Sequence, residues 1–247
     1  MKKRILILIL NYLVVFSAVA GGAVKWSEID RNAMSTDMMA LGKLFQQMRH
    51  YKVDIMQSSY EDYTSEVYHE RTKGYFERSN EDYHDYTLGI HTIQSNGCRT
   101  VIDSAKRILI IGDPTSTIDS MMPESNYKVM LKLCTSIKKA QNGNFTYYRM
   151  EFKEGYVLSA YEFTMEDKLP SKIVMYYSKK VKKGGALTKP RMEIIFSNWK
   201  MNPQETEGEY DIQKYLIKSG NSYALKAPYA GKFKLLDQRV KTRNDKK

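Results

Sequence analysis

The chain has two cysteines in 247 residues, Cys98 and Cys134. Two cannot form a stapled framework, and they lack the CxxC spacing of a redox or zinc site. Cys134 falls on the apolar stripe of a predicted helix, so a buried thiol and a bridge both stay open at this point. Histidine is scarce too, with only His50, His69, His84 and His91. His69 and His84 lie among Glu70, Glu81, Asp82 and Asp85, but no HExxH or other ligand spacing surrounds them, and neither a metal nor another cofactor is expected. The chain lacks a GxSxG, a glycine-rich phosphate loop and an evident carboxylate pair, which removes the motif grounds for a serine hydrolase or a nucleotide enzyme. Groups assembled from distant strands would leave no motif; binding rather than catalysis is nonetheless the expected activity. Short-period repeats, low-complexity tracts and long linkers are also missing, which favours one domain over an array.

Long apolar runs occur only at the start. Lys2, Lys3 and Arg4 precede an apolar stretch from Ile5 to about Val19, and Ser17-Ala18-Val19-Ala20-Gly21-Gly22 offers a small-x-small cleavage site. This is the pattern of a secretory signal peptide over residues 1–20, cleaved after Ala20, with no cysteine behind the site to carry a lipid. The break at Asn11 and Tyr12 and the short length argue against a retained span of about 20 residues. Residues 21–247 then form the expected single exported domain. Acids are outnumbered: 39 Lys and Arg face 28 Asp and Glu, a formal charge of +11, about +8 without the three leader charges. In an exported protein this balance favours anionic headgroups or acidic proteins over nucleic acid.

Met34, Met38, Leu41, Phe45 and Met48 recur at three and four residues between Asp30 and His50, which predicts an amphipathic helix capped by Asp30 or Ser35. It reads as a cover for the core or, because methionine is flexible and polarizable, as a lid over a variable apolar guest. Strand patterning follows over 51–56, 66–78 with a break at Gly74, 86–90, 100–103 and 107–112, with turns at Ser95-Asn96-Gly97 and Ser104-Ala105-Lys106. These connections are too short for parallel crossovers, so the segment is an antiparallel meander. Pro123 and Glu124 open a second predicted helix with Tyr127, Met130, Cys134 and Ile137 on one face.

Strands resume over 145–153, 156–165, 171–179 and 191–201. The lysine-rich "SKKVKKGGALTKP" reads as an exposed hairpin loop. Its Lys179, Lys180, Lys182 and Lys183 either guard a sheet edge or touch headgroups or an acidic partner. The stretch 210–240 is ambiguous, with a short helix or strand around Ile212 to Ile217 and a last strand near Phe233 to Leu236; the terminal "KTRNDKK" is expected to fray. One face of the second strand set is strongly apolar: Tyr148, Met150 and Phe152, then Val157, Tyr161, Phe163 and Met165, then Ile173, Met175 and Tyr177. Two helices cannot cover eight or nine strands. The remaining apolar face must pack on another sheet as a solid core or border a cavity.

The order of elements, and "HTIQSNGCRTVIDSAKRILIIG" above all, resembles the periplasmic outer-membrane lipoprotein carrier (LolA-like) superfamily. On that likeness Gly97 is a turn glycine, Ile102 and Asp103 end a short strand, and Lys106 to Ile111 form the next. "GNSYALKAPYAGKFKLLDQR" resembles the closing segment of exported relatives. The Arg-Pro pair often found in the second or third strand of such carriers is replaced here by "KGYFERSNEDYHDY", and Arg71 and Arg78 are the candidates for a gating arginine.

The resemblance implies an α+β fold, a strongly curved antiparallel sheet forming an incomplete barrel, with helices packed in its concave mouth. It also implies a periplasmic, monomeric carrier whose cavity shelters lipid or lipoprotein acyl chains without a cofactor. Each buried CH₂ would contribute about 0.8 kcal/mol to holding such a chain. The lining candidates are Met38, Leu41, Phe45, Val53, Ile55, Tyr148, Met150, Phe152, Tyr161, Phe163 and Met175. An alternative from another class is a cell-envelope adaptor or secretion-machinery component that binds a protein partner through the same fold. A hydrolase is a third.

Overall fold

Asp30 opens the first helix by accepting a hydrogen bond from the Ala33 amide at 2.7 Å, which satisfies a donor the helix itself cannot. In the computed structural model this helix, α1, spans Arg31–Gln47 and buries Met34, Met38, Leu41 and Phe45, the predicted stripe. The structure describes residues 24–95, 97–115, 124–183, 186–202 and 211–239; the leader with its cleavage site, Pro123 and the "KTRNDKK" tail lie outside them.

The two-residue β1 (Ser27–Glu28) precedes α1. A meander follows: β2 (His50–Tyr60), β3 (Glu70–Ser79), β4 (Asp82–Thr87), β5 (Ile90–Ser95), β6 (Cys98–Asp103) and β7 (Ile108–Gly112). The strand predicted over 86–90 is instead a hairpin. Leu88 and Gly89 both take positive φ, 55° and 77°, the two-residue turn whose twist matches that of paired strands.

Next come α2 (Glu124–Leu133), β8 (Cys134–Asn142), β9 (Phe145–Phe152), β10 (Leu158–Glu166), β11 (Leu169–Tyr177), the small hairpin β12 (Val181–Lys183) with β13 (Ala186–Thr188), and β14 (Arg191–Met201). Cys134 and Ile137 therefore belong to a strand and not to the second helix. A register shift between Cys134 and Ser136 explains the helix-like spacing. The extra residue turns Cys134 and Ile137 to the same side, where regular alternation would separate them, and both are buried.

Thirteen strands form one sheet in the order β1-β8-β9-β10-β11-β14-β2-β3-β4-β5-β6-β7-β17, where β17 is Lys234–Asp237. All neighbours are antiparallel except β17, which runs parallel to β7. The sheet is curved and does not close, and the expected α+β class comes out mainly β. The curvature follows from what α1 touches. In a flat sheet β9 and β3, five strand steps apart, would stand about 24 Å apart. Asp37 nevertheless bonds Tyr148 of β9 while Phe45, eight residues or about 12 Å further along the helix, bonds Arg78 of β3. Gly74 assists the bend: a Cβ there would stand 2.1 Å from the Tyr86 carbonyl oxygen, so only glycine lets β4 approach so closely.

Two cores lie on opposite faces of this sheet. The larger joins α1 and α2 to inward residues of β2, β3, β4, β8, β9 and β10. The smaller covers the other face of β5, β6 and β7 with the C-terminal segment, made of a 3-10 turn (Ile212–Lys214), β15 (Leu216–Ser219) and β16 (Ser222–Leu225), through Ile212 and Leu216. Cys134 belongs to the first core and Cys98 to the second, and both thiols are free.

Candidate functional site

Across the inner face the strand register lines up continuous apolar rows. Ile137, Met150, Tyr161, Met175 and Met192 stand opposite one another on β8, β9, β10, β11 and β14. Tyr148, Phe163, Ile173 and Ile194 form the adjacent row on β9, β10, β11 and β14. Alternation puts these side chains on one side of the pleat.

Burial changes along each row. Ile137 and Met150 are buried, whereas Tyr161, Met175 and Met192 are only half-buried. Tyr148 and Phe163 are buried, and Ile173 and Ile194 half-buried. The cause is the path of α1. Its first turn is tied to β8, where Arg31 Nη2 donates to the Cys134 carbonyl at 2.8 Å. Asp37 then accepts from Lys139 Nζ at 2.8 Å and from the Tyr148 hydroxyl at 2.9 Å. The helix ends against β2, β3 and β14, with the Phe45 ring 5.8 Å from Tyr51 and 6.1 Å from Trp199. It therefore crosses the sheet diagonally. The apolar face of β10, β11 and β14 toward the Tyr177 end is left incompletely covered.

Tyr161 carries a hydroxyl within this strip. Part of its surface still meets solvent, yet protein atoms crowd it so closely that burial pushes its phenol far above the ordinary range. Its hydroxyl has no hydrogen-bond partner among the described residues. Tyr177, at the end of the strip, is also pushed up by burial. The chemistry on offer is broad apolar contact with one unanswered hydroxyl.

The sequence-predicted lining residues divide in two. Met38, Leu41, Phe45, Val53, Tyr148, Met150, Phe152 and Phe163 are buried and packed on one another in the larger core. Ile55, Tyr161 and Met175 are partly buried beside it. Val157, grouped with the inner face from sequence, lies ahead of β10 and is 57% exposed. Of the two gating candidates, Arg78 is inward and buried, bonding the Phe45 and Asn80 carbonyls. Arg71 is exposed; it donates to Ser58 and stacks on Tyr68, on the other side of the sheet from Ile55. Ile173, Met192, Ile194 and Phe196 belong to the strip but are not among the lining candidates, although Ile173 shares the apolar face read from the sequence. The alternation of Met192, Ile194 and Phe196 in β14 was the available signal.

Away from the smaller core the outer face is largely polar and carries a different set of groups. Arg149 there is held by Glu151 and Glu162 beside a depression of about 410 Å³ lined by Trp26, Ser27, Glu28 and Lys138. Its charges are largely satisfied by one another. Further along, His84 Nε2 and His91 Nδ1 share a hydrogen bond at 3.0 Å, with Tyr75 on His84 and the Tyr86 ring tilted against His91 at 4.4 Å. Among the described residues no group of three or more His, Cys, Asp or Glu could hold a metal ion.

No family model and no curated protein matches the chain. Among solved structures, a DUF1329 family protein from Desulfovibrio piger is similar over 75% of this chain and 99% of its own, at 10% identity and a TM-score of 0.32. A putative outer membrane lipoprotein-sorting protein domain from Vibrio parahaemolyticus is similar over 72% and 98%, at 9% identity and a TM-score of 0.22.

Proposed function

We propose that this protein is an exported, non-enzymatic carrier that shelters the acyl chains of a lipid or lipoprotein against the uncovered part of its inner face, within the periplasm. The observation that carries the reading is the half-buried apolar strip of Ile55, Tyr161, Ile173, Met175, Ile194 and Phe196, within which the Tyr161 hydroxyl has no hydrogen-bond partner among the described residues. An apolar guest there gains about 0.8 kcal/mol per buried CH₂, and the hydroxyl is available to a carbonyl or ester oxygen of the same guest. In this reading α1 lies in the concave side as a lid, and its methionines adapt the lining to chains of different shape.

Native mass spectrometry of the protein expressed with its leader tests the proposal. The expected spectrum carries acyl-lipid adducts that are lost in Met175→Glu, a substitution that places a charge on the strip. Lipid-free protein in repeated preparations, recovered in a stable complex with a protein partner, would establish the envelope adaptor instead. The burial of the other eight lining candidates in one packed cluster favours that second reading, because only the half-buried strip is open to a guest while α1 stays in place.

A further inference from the structure

Three loops meet at the end of the sheet where the apolar strip opens: 61–69 between β2 and β3, 153–157 between β9 and β10, and 178–190 carrying β12 and β13. They are fastened to one another. The Ser178 amide donates to the Val157 carbonyl at 3.0 Å, and the Lys189 amide donates to Asp62 at 3.3 Å. Tyr63 reaches across the same edge, its hydroxyl 2.6 Å from Ser159 Oγ and 2.5 Å from the Tyr177 carbonyl. The three loops therefore form one rim rather than three independent tips.

Each loop exposes an aliphatic side chain that the fold could have buried. Val67 is 76% exposed, Leu187 65% and Val157 57%. Single exposed apolar residues need no explanation, but three on one linked rim do. Lysines surround them: the 178–190 segment holds five lysines and no acid, with Lys179 and Lys180 exposed, and Lys153 is exposed beside Val157. Glu61, Glu66, Glu70 and Glu154 are also exposed near the rim and Asp62 is half-buried there, so the positive excess is confined to the 178–190 segment. Tyr68, 46% exposed, lies under the Arg71 guanidinium at 3.9 Å, an aromatic-cation pair of the kind that settles at a membrane–water interface.

We infer that this rim docks on an anionic lipid surface, with Val67, Val157 and Leu187 entering the acyl boundary and Lys179 and Lys180 meeting headgroups. Aliphatics protruding from one linked rim suit a fluid bilayer better than a protein, whose anchors need matching pockets. Lysines answer anionic headgroups while their methylene stems remain in the interface. The inference stands whether or not the strip holds a guest, because it uses only the outer ends of the loops.

Co-sedimentation with vesicles of phosphatidylglycerol or of phosphatidylcholine tests it. The protein is expected to partition onto the anionic vesicles and to be released by salt. Val67→Ser/Val157→Ser/Leu187→Ser should lower that partition at least about tenfold, and Lys179→Gln/Lys180→Gln by about fivefold for each charge removed. All five positions are exposed, so an unchanged unfolding midpoint confirms that the variants are folded. Absence of partition onto phosphatidylglycerol at low salt, or partition unaffected by both variants, overturns the inference. So does saturable binding of the rim to an acidic protein without vesicle binding.

Discussion

Arg78 Nη1 donates a hydrogen bond to the Phe45 carbonyl at 2.9 Å, fastening β3 to the last turn of α1 across the floor of the larger core. Burial makes this charged bond hard to replace, because the carbonyl it leaves behind would have no water. Arg78→Ala is expected to cost about 2–4 kcal/mol in urea unfolding. Arg71→Ala, at an exposed site on the outer side, should stay within about 0.5 kcal/mol of the parent. Equal losses would show that the buried tie does not set the position of the helix.

Gly74 should tolerate no side chain. A Cβ there would stand 2.1 Å from the Tyr86 carbonyl, and a backbone oxygen in a ladder cannot move aside as a flexible side chain can. Gly74→Ala is expected to lose at least about 1–3 kcal/mol, read from the denaturation midpoint. Gly89→Asn, in an open turn with φ of 77°, should be far milder because asparagine tolerates that conformation.

Tyr161→Phe removes a hydroxyl that has no partner among the described residues. Deleting a hydroxyl that makes no bond within the fold costs no native contact, so the thermal midpoint should hold, to within about 0.5 kcal/mol. A loss of more than that would place a hydrogen bond on the hydroxyl in solution.

His91, hydrogen-bonded to His84, gives the fold a pH dependence of definite sign. Burial first, then the charge of Lys214, depresses the His91 pKa, with Asp85 opposing. Tyr75 and Tyr86 complete the surroundings, and Asp85 itself is pushed up by burial. A depressed histidine favours the neutral form in the fold. Its contribution is present above about pH 6.5, the unfolded value, and declines as pH falls from there through the lower folded value. The urea midpoint, followed from neutral to mildly acidic pH, should fall more steeply for the parent than for His91→Gln. Parallel curves would exclude the pair as a source.

Both thiols should be silent until the protein unfolds. Burial pushes Cys134 up to about 11 and raises Cys98 as well, so neither presents a thiolate near neutral pH. A thiol reagent should titrate two groups in denaturant and essentially none in the native state, and reductant should leave the melting temperature unchanged. A shift with reductant would imply a bridge between residues that belong to separate cores.

How much of this was legible in the sequence depended on whether one period governed each segment. Met34, Met38, Leu41 and Phe45 repeat cleanly, and they became the buried stripe of α1. Tyr148, Met150, Phe163 and Met175 alternate, and they share the inner face. Reading failed where two rules overlapped. The bulge at Cys134 imitated helical spacing in β8, and Leu88, a non-glycine at positive φ, hid a turn inside an apolar run. Strands β6 and β7 are packed on the C-terminal segment through Ile102, Leu109 and Ile111 while Val101 and Ile110 are half-buried on the other side. Apolar residues on both faces erase the alternation that would have announced a second core. The strip itself was half legible: its β10 and β11 members follow from alternation, but which residues α1 leaves uncovered depends on a diagonal crossing that no local pattern records.

The pairing of β14 with β2 has a consequence for how the chain reaches this state. The meanders β2 to β7 and β8 to β11 can each zip from neighbouring hairpins. Their junction instead joins residues such as Tyr60 and Glu193, 133 positions apart, so chain-closure entropy must be met before any rung of that seam forms. With the equally long-range pairings of β17 on β7 and β1 on β8, this seam makes the sheet one of high contact order, for which slow folding is the expectation.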